Sequence, residues 1–167
     1  DSHYLVDNNF YFNVFEKYSE AELSEITEYA KSIHFQFASY MSASKFYKDY
    51  ALKTNDKTKF LEDYNQHVAI VALYLANGNV KQAKQFISAM VEQRYQPATP
   101  TFLNAGRARR GELVSCFLLE VDDSLNSINF IDSTAKQLSK IGGGVAINLS
   151  KLRARGEAIK GIKGVAK

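Results

Sequence analysis

Leu23, Ile26, Ala30 and Ile33 recur at spacings of three and four behind Ser19-Glu20-Ala21-Glu22, a pattern that predicts a capping box opening a helix of about four turns. Phe46, Tyr47 and Tyr50 mark a further helical stretch, and Lys53-Thr54-Asn55-Asp56-Lys57 reads as a polar turn. Residues 60–76 form a strongly apolar helical run that Asn77-Gly78 stops. Val80, Ala83, Phe86, Ile87 and Met90 then repeat the helical spacing to Glu92. Residues 1–96 are therefore expected to be a helical unit whose many aromatics fill a core rather than line a ligand surface. At Pro97 the pattern changes: two prolines, Asn104-Ala105-Gly106 and the basic cluster Arg107, Arg109 and Arg110 predict an extended, turn-rich connector. Residues 113–121 are a nearly continuous apolar run, the signature of a strand covered on both faces, with Ser115 and Cys116 inside it. Asp122-Asp123-Ser124 offers a cap, and Leu125, Ile128, Ile131, Ala135 and Leu138 line one helix face up to Gly142. Residues 145–149 read as a second strand. Strand, helix and strand over 112–149 make a βαβ unit, and two strands are too few for a stable sheet, so the rest of that domain is expected elsewhere.

Composition adds limits. At 167 residues and 46% hydrophobic, the chain can bury one core, or one and the beginning of another. Both ends read as cut: the first residue is Asp1, and Gly161-Ile162-Lys163-Gly164-Val165-Ala166-Lys167 completes no element. One cysteine excludes an internal disulfide, and His3, His34 and His67 have no metal-ligand spacing, so no metal is expected and the compartment is expected to be reducing and cytoplasmic. No apolar run approaches the roughly 18–20 residues of a membrane helix, and no membrane association is expected. The net charge of +3 is uneven, with the basic excess in residues 106–167. That excess suits a phosphate-bearing partner or a solvated basic face, and does not indicate a polynucleotide.

Four features carry candidate chemistry, each with a plain structural alternative. Thr99, set between Pro97 and Pro100, has its backbone constrained so that hydroxyl and neighbouring amides point one way, as a phosphate or ribose contact requires. Cys116 is either a redox thiol or an inert core residue. Gly142-Gly143-Gly144 either admits close backbone approach of a ligand or stops a helix before a tight turn. Asp123 and Ser124 either meet a ligand or only cap their helix.

Taken together, these segments are more specific. Pro97-Ala98-Thr99-Pro100-Thr101-Phe102-Leu103-Asn104-Ala105-Gly106, Gly111-Glu112-Leu113-Val114-Ser115-Cys116-Phe117-Leu118-Leu119, Leu138-Ser139-Lys140-Ile141-Gly142-Gly143-Gly144-Val145-Ala146 and Leu152-Arg153-Ala154-Arg155-Gly156 resemble, in order and spacing, the catalytic large subunit of class I ribonucleotide reductases. The triple glycine, with Ser44-Lys45-Phe46-Tyr47 and Leu52-Lys53-Thr54, resembles the class Ib branch. The resemblance implies an α+β chain: an N-terminal all-α helical domain with its connector over 1–110, followed over 111–167 by the first βαβ unit of the ten-stranded α/β barrel. It implies that Cys116 supplies one reducing equivalent and ends in a disulfide with a second barrel cysteine. Thr99 and Ser115 then hold the ribose and diphosphate of a ribonucleoside diphosphate, with Gly143 and Gly144 near the substrate. Asp123, Ser124 and Leu125, with Arg153, Ile159 and Lys160, match an allosteric site for a deoxynucleoside triphosphate or ATP effector. The partners implied are a second large subunit in a two-fold dimer through the helix that follows Ser124, a small subunit whose dimetal centre (Mn or Fe) generates the radical, and a thioredoxin- or glutaredoxin-like reductant. No cofactor is implied to be covalently bound.

The family's radical-forming cysteine, the partner of Cys116 and the C-terminal cysteine pair have no counterpart in these residues, so this stretch by itself is expected to be inactive. Two other readings remain at this point. One is a non-catalytic nucleotide-binding and dimerisation module. The other is a small phosphate binder built on Arg107, Arg109 and Arg110.

Overall fold

The computed structural model describes residues 2–108 and 111–166 and divides into two compact units, 1–113 and 114–167. Helices build the first: α1 (Ser2–Asp7), α2 (Glu20–Ser32), α3 (Tyr40–Lys45), α4 (Tyr64–Ala76), α5 (Val80–Val91) and α6 (Thr99–Asn104). A 3-10 turn, Val14–Lys17, and a π turn, Phe46–Tyr50, lie between them.

Local chemistry starts and stops these helices. Ser19 and Glu22 close the predicted capping box on α2, and Asp63 with Gln66 closes another on α4. The second box moves the start of α4 from the expected Phe60 to Tyr64, because Phe60 is held extended in a bridge to Lys53. Asn77 ends α4 in the left-handed conformation, and the Asn79 side chain caps α5 by accepting from Gln82 N at 3.0 Å.

α4 is apolar on nearly every side and lies at the centre. Val68, Ile70, Val71, Ala72, Leu73 and Ala76 are buried, and α4 packs against both α2 and α5. Ile26 of α2 and Ile87 and Met90 of α5 close the core from either side. Aromatic side chains fill one end, as expected: Phe35 stacks on Tyr64 at 3.7 Å between centroids, Phe37 and Phe46 meet Tyr64 edge-on, and Tyr47 meets Phe46 edge-on.

The connector departs from expectation. Residues 99–104 are helical rather than extended, with Pro100 in the first turn, where its missing N–H leaves no hydrogen bond unmade. Residues 10–12 run antiparallel to 106–108 through Phe12 N to Gly106 O, 2.9 Å, and Ala108 N to Phe10 O, 3.0 Å. Arg109 and Arg110 of the basic cluster lie outside the described residues.

The second unit contains β1 (Cys116–Glu120), α7 (Leu125–Lys140) and β2 (Gly144–Asn148). The strands pair in parallel with Cys116 opposite Gly144 and Glu120 opposite Asn148, and α7 packs on both. β1 begins at Cys116 and not at Leu113, since Leu113 packs on the helical core and its carbonyl accepts from Thr101 Oγ1 at 3.2 Å. The expected cover on both faces is not supplied: Cys116, Leu118 and Glu120 are exposed, Leu118 at 85%. A helical domain followed by two parallel strands around a helix is the α+β organisation expected.

Candidate functional site

The site residues of the second unit gather at the two ends of its strands. At the start of β1, Cys116 Sγ is exposed and receives Ser115 Oγ at 3.7 Å. The parallel register brings Gly144 beside it, and a Cβ built on Gly144 would lie 4.0 Å from Sγ and 3.6 Å from Ser115 O. Gly144 N donates to Ser115 O at 2.8 Å, so the glycine turn is tied to the residue preceding the thiol. Gly142, at φ +91°, ends α7. Gly143 has a packing reason to lack a side chain: its Cβ would stand 2.3 Å from Cε2 of the Phe117 ring.

At the other end of the strands, Ser124 caps α7 by accepting from Ser127 N at 3.1 Å, while Leu125 is left 71% exposed. Asp123 is not spent on capping. Its Oδ2 accepts from Arg153 Nε at 2.6 Å, and Arg153 Nη1 donates to Ala158 O at 3.1 Å. The guanidinium therefore ties the start of α7 to the segment after β2. Ile159 and Ile162 exchange both backbone hydrogen bonds around Lys160 and Gly161, which have φ +51° and +81°, the signs of a type I′ turn. The structure thus links Asp123, Arg153 and the backbone beside Ile159 directly, and sets Lys160 exposed at the tip of the next turn. Lys151, which the sequence did not single out, bridges Glu120 and Asp122 at 3.2 Å to each; its hydrogen bonds to these two carboxylates raise its pKa.

Thr99 belongs to the first unit. It is exposed at the first position of α6, with Oγ1 3.3 Å from Tyr50 OH.

The phosphate-binder reading of Arg107 is corrected by its surroundings. Its guanidinium is buried, and Nη2 donates to Glu62 Oε1 at 2.5 Å and to Tyr50 O at 2.9 Å. Glu62 is the hub of this cluster. Oε1 also accepts from Leu52 N at 2.8 Å and meets His67 Nδ1 at 2.6 Å, while Oε2 accepts from Tyr11 OH at 2.6 Å. Burial pushes the Glu62 carboxyl up, but the hydrogen bond and charge of His67, the charge of Arg107 and the Tyr11 hydroxyl outweigh it and hold the pKa below the ordinary value. Tyr11 is pushed far up, by burial first and then by the charge and hydrogen bond of Glu62. The one sequence signal for the cluster is a histidine within the apolar run of α4, five residues after a glutamate.

Similarity to known proteins follows the same division. Residues 36–110 match the family model described as ribonucleotide reductase, all-alpha domain, and residues 114–167 match that of ribonucleotide reductase, barrel domain. The chain is 57% identical over 98% of its length to the ribonucleoside-diphosphate reductase subunit alpha of Bacillus subtilis, and 46% identical over 96% to that of Mycoplasma pneumoniae. The corresponding subunit of Treponema pallidum is 31% identical over 89% of the chain. The chain spans 24%, 22% and 18% of the lengths of these three relatives.

Proposed function

Since the chain belongs to the ribonucleotide reductase large-subunit family, we propose that its residues work in the reduction of ribonucleoside diphosphates to deoxyribonucleoside diphosphates. The observation that carries this reading is the placement of Cys116: an exposed thiol at the start of a parallel strand, flanked by Ser115 and paired in register with Gly144. Replacing the C2′ hydroxyl of a ribose by hydrogen requires two electrons and two protons. Two thiols supply both as they oxidise to one disulfide, and the hydroxyl oxygen leaves as water. Cys116 is one of those thiols, and its partner is a second cysteine of the complete barrel.

Thr99 and Ser115 hold the diphosphate and ribose, and Gly143 and Gly144 let the substrate approach the backbone. The second region, Asp123, Ser124, Leu125, Arg153, Ile159 and Lys160, takes the deoxynucleoside triphosphate or ATP effector. The Asp123–Arg153 ion pair supports this assignment: a carboxylate suits a sugar hydroxyl, a guanidinium suits a triphosphate, and the pair joins α7 to the loop that would sense the bound base. α7 then carries the signal to a two-fold partner. The radical comes from a separate dimetal (Mn or Fe) small subunit, and a glutaredoxin- or thioredoxin-like protein in the cytoplasm returns the disulfide to thiols.

Cys116→Ser in a complete reductase tests this. Turnover with a dithiol reductant falls to background while effector affinity stays within about twofold of the parent; turnover above a tenth of the parent rate would reject the thiol's role. Arg153→Ala gives the opposite pattern, with effector binding lost and Cys116 chemistry retained at saturating substrate.

A further inference from the structure

We propose that His67 is a positioning residue for Thr99, acting through the buried Glu62–Arg107 pair; this rests on the reading of Thr99 as a substrate contact. α6 has six residues and its N-cap, Ala98, offers no side-chain acceptor, so local structure alone does not hold Thr99 in place. Thr101 Oγ1 and Asn104 Nδ2 tie the later part of α6 to Leu113 O and Glu112 O, and the cluster beneath it holds the face that carries Phe102.

Because α6 ends at Asn104, the Phe102 carbonyl has no amide of its own helix to accept. His67 Nε2 donates to it at 2.7 Å, and the Phe102 ring meets the imidazole edge-on at 4.4 Å between centroids. The other ring nitrogen fixes the imidazole. Nδ1 lies 2.6 Å from Glu62 Oε1 and 3.2 Å from Arg107 Nη2, so the ring is held between the acid and the guanidinium. His67 is wholly buried, which leaves no solvent to replace either partner.

The same carboxylate controls the second contact to Thr99. Glu62 Oε1 receives Arg107 Nη2, which also donates to Tyr50 O at 2.9 Å, and Tyr50 OH is the group that meets Thr99 Oγ1. One buried acid therefore sets Thr99 from two sides: through His67 and the α6 carbonyl, and through Arg107 and the backbone of Tyr50. Tyr11, Glu62, His67 and Arg107 are all buried, so the effect of the cluster is on geometry and not on the reacting atoms.

The test uses a complete reductase carrying His67→Phe, which keeps a ring and removes both hydrogen bonds. Tyr50→Phe serves as a second variant that leaves the buried charges intact and deletes only the hydroxyl at Thr99. Both raise KM for the ribonucleoside diphosphate, His67→Phe by about tenfold, with kcat within about twofold. His67→Gln, whose amide can still donate to Phe102 O, recovers part of the loss. In the double variant with Thr99→Val, His67→Phe adds nothing further, because the group it positions is gone. Hydrogen exchange at the α6 amides rises in His67→Phe while that of α5 does not. An unchanged KM in His67→Phe and Tyr50→Phe, in an enzyme where Thr99→Val raises it, overturns the proposal. An unchanged KM in Thr99→Val overturns the substrate reading of Thr99 instead, and α6 exchange then decides separately whether His67 anchors the helix.

Discussion

Gly106→Ala tests how closely the connector is packed on the central helix. Gly106 has φ +77°, where a side chain costs about 1 kcal/mol of backbone strain. A Cβ there would also lie 2.7 Å from Ile70 Cγ1 and 3.2 Å from Ile70 O. Ile70 is buried in α4 and cannot swing into solvent, so overpacking adds about 1–3 kcal/mol. The variant is expected to lose about 2–4 kcal/mol in all. Ile70→Ala alone loses about 2–5 kcal/mol through its cavity. In the double variant the new methyl occupies space that Cγ1 has vacated, so the loss falls short of the sum of the singles by about 1–3 kcal/mol. Urea unfolding followed by tyrosine fluorescence measures this in the right place: all 10 tyrosines lie at or before Tyr95, within the helical unit, and the chain has no tryptophan. Gly106→Ala within about 0.5 kcal/mol of the parent, or strict additivity of the two substitutions, would refute the packing argument.

Other predictions follow from the same contacts. Asp63→Ala removes the α4 cap and costs about 1 kcal/mol in the same unfolding assay. Because the folded pKa of Glu62 lies below its unfolded value, its stabilisation is fully present above about pH 4.5 and is lost as pH falls through the folded value; urea midpoints from pH 7 to 3 fall less steeply in Glu62→Gln than in the parent. Tyr11 has the opposite sign, with a folded pKa raised above 10, so stability declines as pH rises beyond about 10, and Tyr11→Phe flattens that limb. Cys116 is exposed and reacts in the native state with a disulfide reagent at close to the rate of a denatured sample, as absorbance of the released thiol shows.

The sequence was most legible where the signal is local. The capping box of α2, the Asn77-Gly78 stop and the Ser124 cap rely on residues within one turn of each other, and each stands where the pattern placed it. α6 departs from the extended reading that two prolines and a short polar segment suggest, and its Phe102 carbonyl is met by a histidine 35 residues earlier in the chain, a contact no local pattern announces. The start of α4 was misplaced because apolar spacing continues through Phe60 and Leu61; the Asp63 and Gln66 pair was the better guide. For the site, Ser115 with Cys116, and Asp123 with Arg153, were found together, though the exposure of Cys116 was not foreseen, since an apolar strand implies cover that these residues do not themselves provide. Gly143 is explained by the Phe117 ring, a contact that glycine runs do not announce. The Glu62–Arg107 pair joins residues 45 apart and has no periodic signature at all.

A single turnover without added reductant tests the central claim most directly. A complete reductase, reduced and then freed of dithiol, is given substrate, effector and its radical-generating subunit, and peptide mass analysis of the quenched protein follows Cys116. One disulfide containing Cys116 should form for each deoxyribonucleotide made. Product formed with Cys116 still a free thiol would contradict the assignment.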